Sequence, residues 1–364
     1  MSEKPMCSPQ KFGAVEWANC FSYVYRYRFL TFSESHYGED LLIRPKNRNS
    51  TMQNERGHFL KDFSGAIGGW VSLQSRRVNA QTAPSPQASV ERPTVRDRFW
   101  IWGWNAGALT NLYGLPGVSR ITAVEGAFYL GVPNLILVAL PDPKEPCKWL
   151  PEAASFEQYA ISFRELKRVV WFIVGGGKMV AGPKNLEVVL QLTQKFPNIV
   201  GVIMDDFFRN TIDGGKVGTL TPRELSYIQS QLKMNGRKLD LWAVVYHHDL
   251  QYPIAEYLDE VDIVTYWTWE ARNLDQLEDA FVQLEELAPR ARKMLGCYMW
   301  DYGAKKPIPL NLMQKQCQLG LDWLRAGRIE GMIFLGSGSC DLRLGAVDWT
   351  RNWIREVGDG SVTF

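Results

Sequence analysis

The chain has 364 residues, 46% hydrophobic and 22% charged, with a net charge of +2. A (β/α)8 barrel takes about 250 residues, so the chain holds one barrel and roughly a hundred residues besides. Long basic runs, C-x-x-C pairs among the six cysteines and apolar runs of transmembrane length are all missing from the sequence. That argues against a nucleic-acid footprint, a zinc site or disulfide framework and a membrane span, and implies no cofactor.

The first 95 residues lack periodicity and close in a proline-rich linker, Gln81 to Pro93. Within them, Met52-Gln-Asn-Glu-Arg-Gly-His-Phe-Leu-Lys61 precedes a mild apolar run, Phe63 to Leu73, and the small-residue stretch Val78-Asn-Ala80. This piece resembles a twin-arginine export signal, with Arg56, Phe59, Leu60 and Lys61 on its core and Glu55 at the first arginine position. Arg76 and Arg77 after the apolar run depart from the pattern. The resemblance implies an exported, periplasmic or extracellular protein whose start is Met52, with 1–51 an unstructured upstream extension, 52–80 the signal and 81–95 a linker. The other reading is a disordered N-terminal extension on a cytoplasmic protein.

From Arg96 onward, short β-branched and aromatic runs alternate with helical patterns, as parallel βαβ units do. The expected strands are Arg98–Trp104, Asn134–Ala139, Val169–Val174, Ile199–Met204, Asp240–Tyr246, Val261–Tyr266, Lys293–Tyr298 and Gly331–Leu335. Helices are expected near Ser119–Gly131, Ser155–Lys167 and Pro183–Lys195, then from the capping box Thr221-Pro-Arg-Glu224. Further helices follow an Asn273 cap, span Leu310–Ala326 up to Gly327, and close the ring at Ala346–Glu356. Strand one runs into Trp102-Gly-Trp104-Asn105, which is no dinucleotide fingerprint, so the α/β fold expected over 96–357 is a TIM barrel, with 358–364 a tail.

In such a barrel the C-terminal strand ends build the site. Strand four ends in Asp205-Asp206, strand five in Tyr246-His247-His248-Asp249, strand six in Tyr266-Trp267-Thr268-Trp269-Glu270 and strand seven in Tyr298-Met299-Trp300-Asp301-Tyr302. Carboxylates among Trp and Tyr suit a sugar: ring faces stack on pyranose C–H faces while carboxylates bind hydroxyls or move protons. The expected catalytic candidates are Asp206 and Asp205, then Glu270 and Asp301. Trp102, Trp104, Tyr246, His247, Tyr266, Trp267, Trp300 and Tyr302 are the expected substrate-binding residues, and no metal ligand is assigned. Adjacent residues of a regular strand point to opposite sides, so one of Asp205 and Asp206 is expected to enter the site. Glu125, inside the first expected helix, is set aside.

On this placement, the C-terminal two-thirds resembles the TIM-barrel glycoside hydrolases and, more loosely, barrel proteins of bacteria rich in exported carbohydrate-active enzymes. The resemblance implies a carbohydrate substrate and paired Asp/Glu acid–base chemistry. There is no Asn-Glu pair after strand four and no Asp-x-x-Asp-x-Asp-x-Glu run, so no catalytic role carries over residue by residue.

Three other readings remain open. His247 and His248 with Asp205, Glu270 and Asp301 would supply ligands for a metal-dependent sugar isomerase or hydrolase. Gly336-Ser-Gly-Ser339 after strand eight would offer backbone amides to a phosphate. A barrel that binds carbohydrate without cleaving it would hold its carboxylates in ion pairs, for instance with Arg209, Arg272 or Lys305. The sequence is silent on sugar identity and oligomeric state.

Overall fold

The computed structural model describes residues 93–108, 112–138, 153–174, 183–213, 216–233 and 236–362. The segments expected to be an upstream extension, an export signal and a linker before Pro93 lie outside the described residues.

Eight parallel strands close into a barrel: β1 Phe99–Gly103, β2 Asn134–Leu137, β3 Arg168–Val174, β4 Ile199–Met204, β7 Asp240–Tyr246, β8 Ile263–Trp267, β9 Arg292–Tyr298 and β10 Gly331–Leu335. Each pairs with its neighbours in chain order, and β1 pairs with β10 through Phe99–Met332 to Trp102–Leu335. The hairpin β5 Phe208–Asp213 and β6 Lys216–Gly218 stands outside this ring, directly after β4. The β-branched and aromatic strand runs predicted the ring, but not the hairpin, although its Asp213-Gly-Gly215 sequence is a turn signal.

The helices are α1 Ala123–Leu130, α2 Ala153–Ser162, α3 Pro183–Lys195, α4 Pro222–Lys233, α5 Ala255–Leu258, α6 Leu277–Leu287, α7 Leu310–Arg325 and α8 Gly345–Val357. The capping box at α4 forms as its spacing requires: Thr221 N–H donates to Glu224 Oε2 at 2.7 Å, and Glu224 N–H returns to Thr221 Oγ1 at 3.3 Å. The same device opens α1, where Thr122 and Glu125 exchange bonds of 2.8 and 3.3 Å. Glu125 is thus a helix cap near the start of α1, not a residue in mid-helix. Asn273 does not cap a helix. Ala271–Gln276 forms a 3-10 turn, and α6 begins after it at Leu277.

Tryptophans fill the barrel. Trp100 of β1 meets Trp242 of β7 edge-on at 5.2 Å, and Trp102 meets Trp267 of β8 at 5.3 Å. β1 hydrogen-bonds only β2 and β10 within the ring, so these contacts cross the lumen. Such large rings need small residues opposite. A Cβ on Gly296, register partner of Trp267, would meet that indole at 2.1 Å, and one on Gly201 would meet Trp242 Nε1 at 3.0 Å. Below the rings, Arg292 bridges Asp240 at 2.7 Å and Glu330 at 3.1 Å, and the Arg168 guanidinium lies 4.8 Å over Trp100.

The ends of the described barrel meet on this floor. Val95 N–H donates to Gly360 O and Arg96 N–H to Gly358 O, both at 2.8 Å, while Val362 N–H reaches Pro93 O. Residues 358–362, read from sequence as a tail, are bonded to the segment that leads into β1.

Candidate functional site

At the opposite face, β4 stops at Met204 while Asp205 N–H still donates to Val174 O at 2.9 Å. Asp206 then turns into the left-handed region, φ +47°. That conformation is uncommon for residues with a side chain and least costly for Asn and Asp. Asp206 N–H folds back onto Asp205 Oδ1 at 3.0 Å. The hairpin behind holds the turn, with Thr219 donating to Phe207 O from both N–H (2.9 Å) and Oγ1 (3.0 Å). This break in the extended chain removes the strand alternation on which one Asp was expected to face away. Both carboxylates lie past the strand, and both act on Tyr113, Tyr246 and Tyr298.

Tyr246, the last residue of β7, donates its hydroxyl to Asp206 Oδ1 at 2.8 Å. Burial raises the pKa of Tyr113, Tyr246 and Tyr298 above the ordinary phenol value, and the charges of Asp205 and Asp206 raise it further. All three are therefore neutral hydrogen-bond donors at working pH. Trp269 joins them, with ring contacts to Tyr113 at 5.6 Å, Tyr298 at 5.7 Å, Tyr302 at 5.8 Å and Tyr246 at 6.2 Å. Tyr113 reaches this group from the loop after β1 with φ +53°, its carbonyl accepting the Trp300 indole N–H at 2.9 Å.

One carboxylate that the sequence reading left out belongs here. Asp249, in the 3-10 turn after β7, is 1% exposed and accepts Tyr246 N–H at 2.8 Å. Burial raises its pKa above the usual carboxylate value, and the Asp206 charge adds to that, against the Tyr246 amide and His248. His248 Nε2 stands 3.6 Å from Asp249 Oδ1, and its ring lies flat against Tyr246, 5.3 Å between centroids and 6° apart in plane. Asp249 thus fixes the backbone of the tyrosine that holds Asp206.

The remaining candidates are placed elsewhere. Glu270 pairs with Arg272 at 2.5 Å, and its methylene packs against Gly303. Asp301 is buried and accepts Ala304 N–H at 3.0 Å, while its backbone exchanges bonds with Lys306; it ties a loop. Trp102 and Trp267 lie in the barrel interior, the Trp267 indole bonded to Thr265 Oγ1 at 2.9 Å, so neither offers a face to a ligand. Tyr266 points outward onto Phe281 of α6 and meets His247 Nδ1 at 3.0 Å. Burial and His248 hold His247 below the ordinary imidazole pKa. Trp300 anchors the Tyr113 loop, and buried Trp104 and Tyr302 back the aromatic group. Of the expected binding set, Tyr246 touches the Asp pair directly, through its hydroxyl.

The serines of the Gly336–Ser339 loop are fully buried and used internally: Ser337 Oγ accepts Trp104 N–H at 3.0 Å and Ser339 Oγ donates to Gly336 O at 2.8 Å. The loop presents no hydroxyl to an anion. Among the described residues no three His, Cys, Asp or Glu side chains converge as a metal site would require, and no helix is long and apolar enough to cross a membrane.

No protein family model and no curated protein matches the chain. Solved structures similar to it include active domain 2 of a chitinase from Pyrococcus furiosus (14% identity, 75% of this chain and 99% of that one, TM-score 0.46). Others are a GH99 endo-alpha-mannosidase from Bacteroides thetaiotaomicron (8%, 72% and 97%, TM-score 0.46) and a xylanase-A-amylase inhibitor protein (13%, 71% and 98%, TM-score 0.46). At such identities and overlaps no activity passes from them to this chain. The closed ring of eight parallel strands is what makes it a TIM barrel.

Proposed function

We propose that this chain acts on carbohydrate and hydrolyses a glycosidic bond, with Asp206 and Asp205 at the reacting centre. The observation that carries this reading is the pair of carboxylates at the end of β4, with the Tyr246 hydroxyl bonded to Asp206 and the phenols of Tyr113 and Tyr298 close enough to feel both charges. A carboxyl can protonate the leaving oxygen and then, as carboxylate, take a proton from water. Neutral tyrosine donors hold sugar hydroxyls, and the Trp269 ring supplies an apolar face for pyranose C–H groups. Asp206, more exposed than Asp205, is the group assigned to the proton transfer.

A second reading, binding without cleavage, is favoured by the Glu270–Arg272 ion pair and by Asp301 serving as a loop tie. Asp206→Asn separates the two. Asparagine keeps an acceptor for Tyr246 and tolerates the left-handed backbone, so the melting temperature should hold. Turnover of a panel of aryl glycosides and oligosaccharides should drop about 100-fold or more, the scale of lost acid–base catalysis. Turnover unchanged in the variant removes Asp206 from the chemistry. Sugar binding by calorimetry without turnover in either protein establishes the binder. Export remains part of the proposal, and fractionation of cells expressing the full chain, with N-terminal sequencing of the product, tests it.

A further inference from the structure

We infer that Cys297 of β9 and Cys317 of α7 are the two ends of a disulfide, closed while the chain folds in the presence of a small-molecule disulfide as oxidant. It goes beyond the carbohydrate reading and does not depend on it, because it rests on how one helix lies over one strand.

Gly296 lies against the Trp267 ring inside the barrel, so its neighbours Leu295 and Cys297 point outward to the helix layer. α7 comes down on that outer face on both sides of Cys317. A Cβ on Gly320 would meet Leu295 Cδ2 at 2.8 Å and Met332 Cε at 2.6 Å, so the helix approaches there as closely as its missing side chain allows. One turn earlier, Gln316 Nε2 donates to Tyr298 O at 3.0 Å. The helix therefore runs back along the strand, with Gly320 over Leu295 and Gln316 at Tyr298. Cys317 falls between those two points on the helix, and Cys297 falls between them on the strand. Both side chains are 0% exposed. The two thiols share a hydrogen bond, and burial together with that bond pushes the Cys317 thiol well above its ordinary pKa. A disulfide needs Cα atoms roughly 4.4–6.8 Å apart, which requires a helix brought close to its strand. Gly320 and Gln316 hold α7 in that way.

Neither thiol is reachable once the barrel has closed, so the exchange takes place during folding. One cysteine gives its proton to water, and its thiolate attacks a sulfur of the oxidant RSSR. The RS–SR bond breaks and a mixed disulfide forms, releasing RS⁻. The second cysteine, deprotonated in turn, attacks the protein sulfur of that mixed disulfide and expels the other RS⁻. Each departing thiolate takes up a proton that a cysteine gave to water. The sum is two protein thiols plus RSSR giving one protein disulfide plus two RSH, the cysteine sulfurs losing two electrons and RSSR gaining them. The bond closes a loop of about twenty residues and so restricts the unfolded chain more than the folded one. That loop holds Tyr298, Trp300, Asp301 and Tyr302, and Tyr298 adjoins Cys297, so the staple anchors the segment that brings part of the aromatic group to Asp205 and Asp206. Cys340 takes no part, its thiol lying 3.8 Å from Gly336 O.

The test uses the full chain, unfolded in urea with dithiothreitol, refolded by dilution into a buffer of reduced and oxidised glutathione, then alkylated and digested with trypsin. The tryptic peptides Met294–Lys305 and Gln316–Arg325 should appear by mass spectrometry as one linked species that reductant separates. The protein refolded in glutathione should melt about 6 °C or more above the same protein refolded in dithiothreitol, and that rise should vanish in Cys317→Ala. The peptide mapping is made on the wild type, so it decides the matter whether or not the variant folds. Alkylation of both Cys297 and Cys317 after refolding in glutathione overturns the inference. So does their linkage to another cysteine or to glutathione alone, or a linked protein that melts no higher than the reduced one. Sugar turnover and binding, measured on the same preparations, bear on the proposed function and leave this bond untouched.

Discussion

Gly296→Ala tests whether the tryptophan packing inside the barrel sets the position of the site above it. The added Cβ would lie 2.1 Å from Cδ2 and Cε3 of Trp267, its register partner on β8. The indole has little room to yield, because its N–H is held by Thr265 Oγ1 at 2.9 Å and its faces meet Trp102 at 5.3 Å and Tyr298 at 5.1 Å. Overpacking a tight core costs about 1–3 kcal/mol, and a locked ring puts this case at the upper end. For a domain of this size, about 2 °C is lost per kcal/mol, so the melting temperature should fall by about 6 °C. Trp267→Leu in the same chain relieves the clash while opening a cavity of its own. The double variant should therefore be more stable than the sum of the two single losses by about 1–3 kcal/mol. Thermal and urea unfolding of the four proteins measure this cycle. An unchanged melting temperature in Gly296→Ala, or strictly additive losses, would refute the packing argument. Tyr298 stands two residues beyond Gly296 on the same strand, so a strand displaced at Gly296 also moves a phenol that feels the charges of Asp205 and Asp206.

Other outcomes follow from single contacts. Ser337→Ala strands the buried Trp104 N–H and should cost about 1–3 kcal/mol, read as a drop of about 2–6 °C in melting temperature. Two aspartates should titrate stability in opposite directions. Burial pushes Asp262 up, but Leu241 N–H, Lys238 and Gln229 together hold it below 3.8. Its stabilisation is thus complete above that pH and lost as pH falls through the folded value, and Asp262→Asn should flatten unfolding curves taken from pH 5 to 2. Asp249 has a raised pKa, chiefly from burial, so its contribution weakens as pH rises from 3.8 through the folded value. Asp249→Asn keeps an acceptor for Tyr246 N–H and should gain melting temperature relative to wild type at pH 7 but not at pH 3. Loss of that difference would show that folding does not raise the pKa of this carboxyl.

The barrel was legible because each strand is a run of β-branched and aromatic residues bounded by turn formers, and that signal survives without any tertiary knowledge. Ile199–Met204 and Asp240–Tyr246 are read with the same limits in sequence and structure. The site was legible only in part. Asp205 and Asp206 stand out as acids after a strand, but nothing in the letters says that Asp206 leaves the extended region, and that one dihedral ends the alternation by which side chains are assigned to faces. Glu270 and Asp301 look equivalent to them in sequence. Their partners, Arg272 two residues on and the N–H of Ala304, are matters of local loop geometry. Tyr113 was missed because it lies ten residues past β1 in a loop without period, delivered by a bond from Trp300 far along the chain. Tyr298 and Trp269 were visible at strand ends, but alternation stops being a guide where the strand stops, so their face could not be assigned.

Because the segment 93–96 is zipped to 358–362 at the floor of the ring, both ends of the described barrel emerge opposite Asp205 and Asp206. A linker fused ahead of Pro93 or behind Val362 would anchor the protein to a bead or electrode with its working face turned to the bulk liquid. Joining those neighbouring ends with a short peptide would also let new termini be cut in a surface loop without unstitching the staves.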